Sequence, residues 1–287
     1  MRSRLLVLVA ALTLGLTSLV AAGCGGDDEE EATTSESSSG EGASTEDLGL
    51  IAEGTLSVGT DTPFPPFEIG RPPDITGYDI EVMNAIAENL GVEVEYTATG
   101  FGTIFRDTAN GQFDTAAAAS TITAGRENVV DFSDPYYEAQ QALLVAEGSD
   151  IASLDDLSGV IVGAQDGTTG ETYGNEETDA AEVRGFPQGP DAISALITGQ
   201  VEAVIIDQPV AVDAIEKQGG VEIIEEIPTN ELYGFAVAPD NDALREAMNE
   251  ALVTIKEDGT LEELYAKYFD GATPPEAVLG TNELLTE

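Results

Sequence analysis

Two periodicities alternate along this chain. Residues 55–60 (TLSVGT) read as a strand, and residues 78–90 place Ile80, Met83, Ile86, Ala87 and Leu90 on one face of a helix. Strand character returns at 92–97, followed by an expected helix at 103–110 and a strand at 115–118. A second run starts after the polar stretch Glu147, Gly148, Ser149, Asp150. Its expected strands are 160–164, 182–184, 203–206 and 221–224, and its expected helices 171–175, 189–198 and 209–217. A strand at 234–238 and helices at 241–257 and 261–268 complete the pattern. The alternation predicts an α/β fold with largely parallel sheets. Strands at 142–146 and 235–238 are the expected crossovers between two lobes, an arrangement that leaves a cleft able to close about a hinge. The pattern divides the chain into lobe I (50–143 and 239–271), lobe II (144–238) and a C-terminal tail (272–287). No repeat of fixed period is visible.

The N-terminus departs from this pattern. Arg2 and Arg4 precede an apolar run over 5–22 that ends in Ala21, Ala22, Gly23, Cys24, the layout of an export signal over residues 1–23. The sequence VAAGC looks like a bacterial lipobox, with Ala21 where a leucine is usual, and implies lipidation of Cys24. Cys24 is the only cysteine, so no intramolecular disulfide accounts for it. Residues 25–47 contain nine acidic and no large apolar side chains, which makes 24–49 a solvated acidic tether. Together these features place the protein outside the cytoplasm, held at the membrane as a lipoprotein.

Charge narrows the partners. With 55 Asp and Glu against 10 Lys and Arg, the formal charge is -45, which excludes nucleic acid as a partner because both surfaces would be anionic. Such acidity suits an ion-rich habitat, where short screening lengths relieve self-repulsion.

Against that background Arg126 stands out. It lies in STITAGRENVVDFSDPYY, where Thr123 reads as the N-cap of a short helix and Thr121 lies two residues upstream. Hydroxyls, helical N–H groups and a guanidinium then converge, which is equipment for gripping a carboxylate. The competing reading pairs Arg126 with Glu127 or Asp131 on the surface. Asp207 follows an apolar strand and precedes a helix with Pro209 in its first turn, the place of an ordinary N-cap.

Six blocks together resemble the extracellular solute-binding proteins of polar amino acid ABC importers, the family 3 type that includes glutamine-, histidine- and lysine/arginine/ornithine-binding proteins. They are GTDTPFPPFE (59–68), GYDIEVMNA (77–85), residues 113–137, GAQDGTTGETYG (163–174), AVIIDQP (203–209) and DGTLEELYAKYF (258–269). The resemblance implies a two-lobed periplasmic-binding-protein fold of type II around a ligand cleft. It implies that Arg126 takes the ligand α-carboxylate in a bidentate fork, beside Thr121 and the backbone of Ala118 and Ala119. From the other lobe, Thr168 and Thr169 would clasp the same carboxylate at a helix N-terminus. Asp207 would take the α-ammonium, so that a zwitterion bridges the lobes and favours the closed form. Asp61, Phe64, Phe101 and Gln165 would select the side chain. Asp61 suits glutamine or a basic amino acid and disfavours an acidic one.

The partners so implied are a polar L-amino acid and an ABC permease, with a monomeric protein, no cofactor and no metal. An enzyme on the same fold, for example one related to periplasmic dehydratases, is the main rival. The sequence contains no histidine and no recognisable paired-acid motif, which argues against it. A sensor domain is the second rival, and no further apolar stretch long enough to span a membrane follows residue 24.

Overall fold

The computed structural model describes residues 48–279. The export signal, Cys24, nearly all of the tether and the last eight residues lie outside the described residues. Strand β1 (Thr55–Thr60) leads to a hairpin of β2 (Ile69–Arg71) and β3 (Asp74–Thr76), then α1 (Tyr78–Leu90), β4 (Glu93–Ala98), α2 (Phe101–Ala109) and β5 (Thr115–Ala116). The four-residue α3 (Ala124–Glu127) and β6 (Asp131–Phe132) precede the long β7 (Tyr137–Ala146). Then come β8 (Ile161–Gln165), α4 (Thr169–Glu177), β9 (Glu182–Phe186), α5 (Gly189–Ile197), β10 (Ala203–Asp207) and α6 (Gln208–Lys217). The chain ends with β11 (Val221–Tyr233), β12 (Ala236–Val237), α7 (Asp242–Glu257), α8 (Thr260–Tyr268) and α9 (Glu276–Leu279).

Two five-stranded sheets result, in orders β4-β1-β5-β12-β6 and β11-β7-β10-β8-β9. Their interiors are parallel, as the alternation predicts: β1 pairs in parallel with β4 and β5, and β8 with β9 and β10. Strands next to the lobe connections run the other way, since β12 is antiparallel to β5 and β6, and β7 to β10 and β11. A strand that carries the chain from one lobe to the other enters its sheet against the direction set by the βαβ units.

The expected division at residue 143 does not coincide with sheet membership. All of β7 from Tyr137 lies in the second sheet, so the chain changes sheets over 133–136 and returns over 234–235. These two connectors are bonded to each other: Ser133 N donates to Phe235 O (2.9 Å), Phe235 N to Ser133 Oγ (3.0 Å), and Tyr136 N to Tyr233 O (3.0 Å). Their rings Tyr136 and Phe235 stack at 4.0 Å and 3°. Two end boundaries also shift. Leu48, placed in the tether by its polar neighbours, is buried in the core, and so is Val278 of the expected tail, on α9. Each lies in an apolar stretch too short to show a period, 48–52 (LGLIA) and 277–279 (AVL), so periodicity carries no signal for it.

The helices form where the apolar spacing places them. In α1 the buried face includes Ile80, Met83, Ile86 and Ala87, and the helix stops at Gly91, whose left-handed φ of 70° closes it. In α7 the buried positions Leu244, Ala247, Met248, Ala251, Leu252 and Ile255 repeat at helical spacing. Among the described residues no helix is long and apolar enough to cross a membrane.

Candidate functional site

Between the lobes lies a narrow cavity lined by Asp61, Phe64, Phe101, Ala118, Ala119, Thr121, Arg126, Gln165, Thr168, Thr169 and Asp207. These are the eleven residues expected from the sequence, and the fold brings all of them to one place. Asp61 follows β1, Ala118 and Ala119 follow β5, Gln165 and Asp207 end β8 and β10, and Thr168 and Thr169 open α4. The site thus sits at the carboxyl ends of the parallel strands of both sheets, where α/β sheets leave their crevices.

Arg126 is held inward. Thr123 caps α3 by accepting from Arg126 N (3.2 Å), and the guanidinium donates through Nη1 to Thr121 O (2.7 Å) and Nη2 to Gly167 O (3.2 Å). Phe101 and Phe105 lie 5.0 and 4.8 Å from its central carbon, both within cation–π range. It makes no ion pair with Glu127 or Asp131, so the surface-pair reading does not hold. Burial lowers its pKa, a tendency opposed by the charges of Glu231 and Asp207.

Asp207 occupies the N-cap position of α6 but makes no capping bond with its side chain. One oxygen, Oδ1, instead accepts from Gln141 Nε2 (3.0 Å) and from the Tyr233 hydroxyl. Burial, then the charge of Glu231, pushes its pKa up to about 7. Asp61 accepts from Gln165 Nε2 across the cleft at 2.6 Å, and burial raises its pKa to about 6. Gln165 Oε1 in turn accepts from Gly189 N (3.1 Å), which fixes the amide's orientation.

The family described as bacterial extracellular solute-binding proteins, family 3, matches residues 56–271. The chain belongs to that family. An ancestral arginine-binding protein solved with arginine is 40% identical, with a TM-score of 0.71, over 75% of this chain and 98% of that one. The same description with glutamine bound gives 40% and 0.72, over 76% and 99%. The ancestral amino acid-binding protein AncCDT-1, described as a precursor of cyclohexadienyl dehydratase, is 35% identical with a TM-score of 0.69, over 75% and 95%. A probable histidine-binding protein of Neisseria gonorrhoeae is 31% identical over 223 residues, 74% of this chain and 82% of the relative.

In this solute-binding protein one acidic residue beside the cavity escaped the sequence reading. Glu231 is 7% exposed, and its carboxylate accepts from Thr121 Oγ1 (2.5 Å), Thr169 Oγ1 (2.7 Å) and Gln141 Nε2 (3.1 Å). It thereby joins a loop of the first lobe to α4 of the second. The hydroxyls of Thr121 and Thr169, two of the three threonines expected at a ligand carboxylate, are engaged by this internal one, while their backbone N–H groups remain a separate resource. Residues 221–224 read as a strand, but β11 runs on to Tyr233 past a register irregularity between Ile227 and Glu231. No local pattern announces that continuation.

Proposed function

We propose that this protein captures a polar L-amino acid with a cationic side chain between its lobes and delivers it to an ABC permease. The observation that carries this reading is the charge balance of the cavity. One guanidinium, Arg126, lines the cavity with two carboxyls, Asp61 and Asp207, and a third, Glu231, abuts it through its bonds to Thr121 and Thr169. The elevated pKa values of Asp61 and Asp207 reflect the difficulty of ionising them without a further positive charge. An amino acid with a cationic side chain brings one carboxylate and two cations. Its carboxylate suits Arg126 with the N–H of Thr121 and Thr169, its α-ammonium suits Asp207, and its side chain suits Asp61 under Phe64 and Phe101. Ala118 and Ala119 supply backbone groups beside the ammonium, and Thr168 and Gln165 complete the second wall. Such a ligand touches both lobes and favours closure through contacts the open form lacks.

A second reading, glutamine, has its own support. The Gln165 amide already donates to Asp61, so a carboxamide is chemically acceptable there, and an ancestral relative was solved with glutamine. A thermal-shift screen of the twenty amino acids separates the two. Arginine and lysine should raise the melting temperature more than glutamine, and glutamate should not raise it. Stabilisation by neutral amino acids alone would overturn the cationic reading.

The reading includes no turnover, and a mass change in a bound amino acid would contradict that part. It also includes a monomer tethered by lipid on Cys24 through an acidic linker, with residues 1–23 removed on export. Detergent phase partition tests the anchor: Cys24→Ser should move the protein to the aqueous phase, and an unchanged partition would remove it.

A further inference from the structure

Behind the pocket wall, two carboxyl groups that play no part in the reading above meet inside the first lobe. Glu68 and Asp79 are both 0% exposed. They are brought together by the start of α1 at Gly77, which has a φ of 129° and packs so tightly that a Cβ would lie 1.9 Å from Phe67 O. Asp79 Oδ2 accepts from Ala119 N (2.7 Å) and from the Tyr136 hydroxyl (2.6 Å). The other three oxygens, Glu68 Oε1 and Oε2 and Asp79 Oδ1, are buried and make no hydrogen bond of good geometry, with the Ala119 N–H, already bonded to Asp79, the one backbone donor near Glu68.

The two side chains nevertheless lie within hydrogen-bonding reach of each other. Two ionised carboxylates can only accept, so that contact is repulsive unless one of them carries a proton. Neither forms an ion pair among the described residues. The ionisable groups that act on the pair or feel its charge are Asp61, Tyr78, Tyr96 and Tyr136, all acids. None of them can neutralise a second negative charge.

We propose that Glu68 and Asp79 share a single proton, and that this singly charged pair positions the pocket wall at Ala119 and the first connector at Tyr136. The proton resides on Glu68, which donates to Asp79 Oδ1, while Asp79 stays charged as the acceptor for Ala119 and Tyr136. Burial, followed by the charge of Asp79, drives the Glu68 pKa upward, in keeping with this arrangement. The tie matters because Ala119 holds a left-handed φ of 43°, a conformation that a residue with a Cβ keeps only when its surroundings impose it. Asp79 imposes it at the N–H, on a residue that lines the cavity.

Carboxyl NMR of protein labelled with 13C at glutamate side chains, followed from pH 5 to 9, tests the shared proton. One glutamate resonance should still report a protonated acid at pH 7, and Glu68→Gln should remove it. Finding every glutamate ionised at pH 7 would overturn the proposal whether or not the variant folds, and so would survival of that resonance in the variant. A cation between the two groups would also leave every glutamate ionised. Amide exchange at Ala119 tests the positioning role. Glu68→Gln keeps a donor to Asp79 and should leave the exchange rate within about twofold of wild type, whereas Glu68→Ala should raise it at least roughly tenfold. In wild type, the rate corrected for base catalysis should climb as the glutamate resonance titrates. A rate that ignores both the titration and the substitutions would refute the positioning role.

Discussion

Affinity for a basic amino acid should depend steeply on pH, because binding must ionise two carboxyls that the empty cavity keeps partly protonated. Asp207 has a pKa of about 7 and Asp61 of about 6. At pH 5 the charged form of Asp207 lies roughly 2.7 kcal/mol uphill and that of Asp61 about 1.4 kcal/mol, taking 1.36 kcal/mol per unit. Together they amount to about 4 kcal/mol, a loss on the order of a thousandfold in affinity between pH 8 and pH 5. The slope of log Kd against pH should approach minus two below pH 6, be about minus one between 6 and 7, and flatten above 8. Titration calorimetry with L-arginine, repeated in buffers of different ionisation enthalpy, reads both the affinity and the protons released. About two protons should leave per arginine bound near pH 5. Glutamine, which leaves Asp61 free to stay protonated, should release about one. A Kd for arginine that is constant from pH 5 to 8, with no proton release, would refute the electrostatic account of the cavity.

Three substitutions probe individual contacts. Arg126→Ala removes the cavity's one guanidinium and should cost roughly 2 to 5 kcal/mol of binding free energy by calorimetry; unchanged affinity would contradict its carboxylate role. Asp207→Asn should weaken amino acids more than their des-amino analogues, and equal losses for both would exclude an ammonium contact. A Cβ at Gly189 would lie 2.8 Å from the Phe64 ring across the cleft. Gly189→Ala should therefore hinder closure and cost about 1 to 3 kcal/mol of binding, with a larger radius of gyration by X-ray scattering at saturating ligand; unaltered binding and size would show that the ring yields freely.

The eleven expected cavity residues came mainly from the resemblance of six sequence blocks to the family; residue pattern alone singled out Arg126 with Thr121 and left Asp207 as an ordinary N-cap. Thr123 announces the cap that turns Arg126 inward, and Gly167 to Gly170 announce the entry to α4. Other features depend on contacts far along the chain. Glu231 reaches Thr121 and Thr169 from a strand whose pattern Pro228 interrupts, and Gln141 is one of three polar positions in β7, with nothing to set it apart from Glu138 and Gln140. The buried Glu68 reads as an ordinary acidic residue before a hairpin, since no local signal shows that Asp79 and the Phe67 backbone will enclose it. The connector at 133–136 was displaced in the expectation because the apolar stretch 142–146 of β7 read as the crossing.

The stacked and cross-bonded connectors restrict how the protein can breathe. Independent tethers would let one half twist, slide or tilt against the other, whereas strips laced by Ser133, Phe235, Tyr136 and Tyr233 must bend in concert, as the two knuckles of a door hinge do. Opening then reduces to a swing about a single axis, and each return brings the same pairs of atoms face to face.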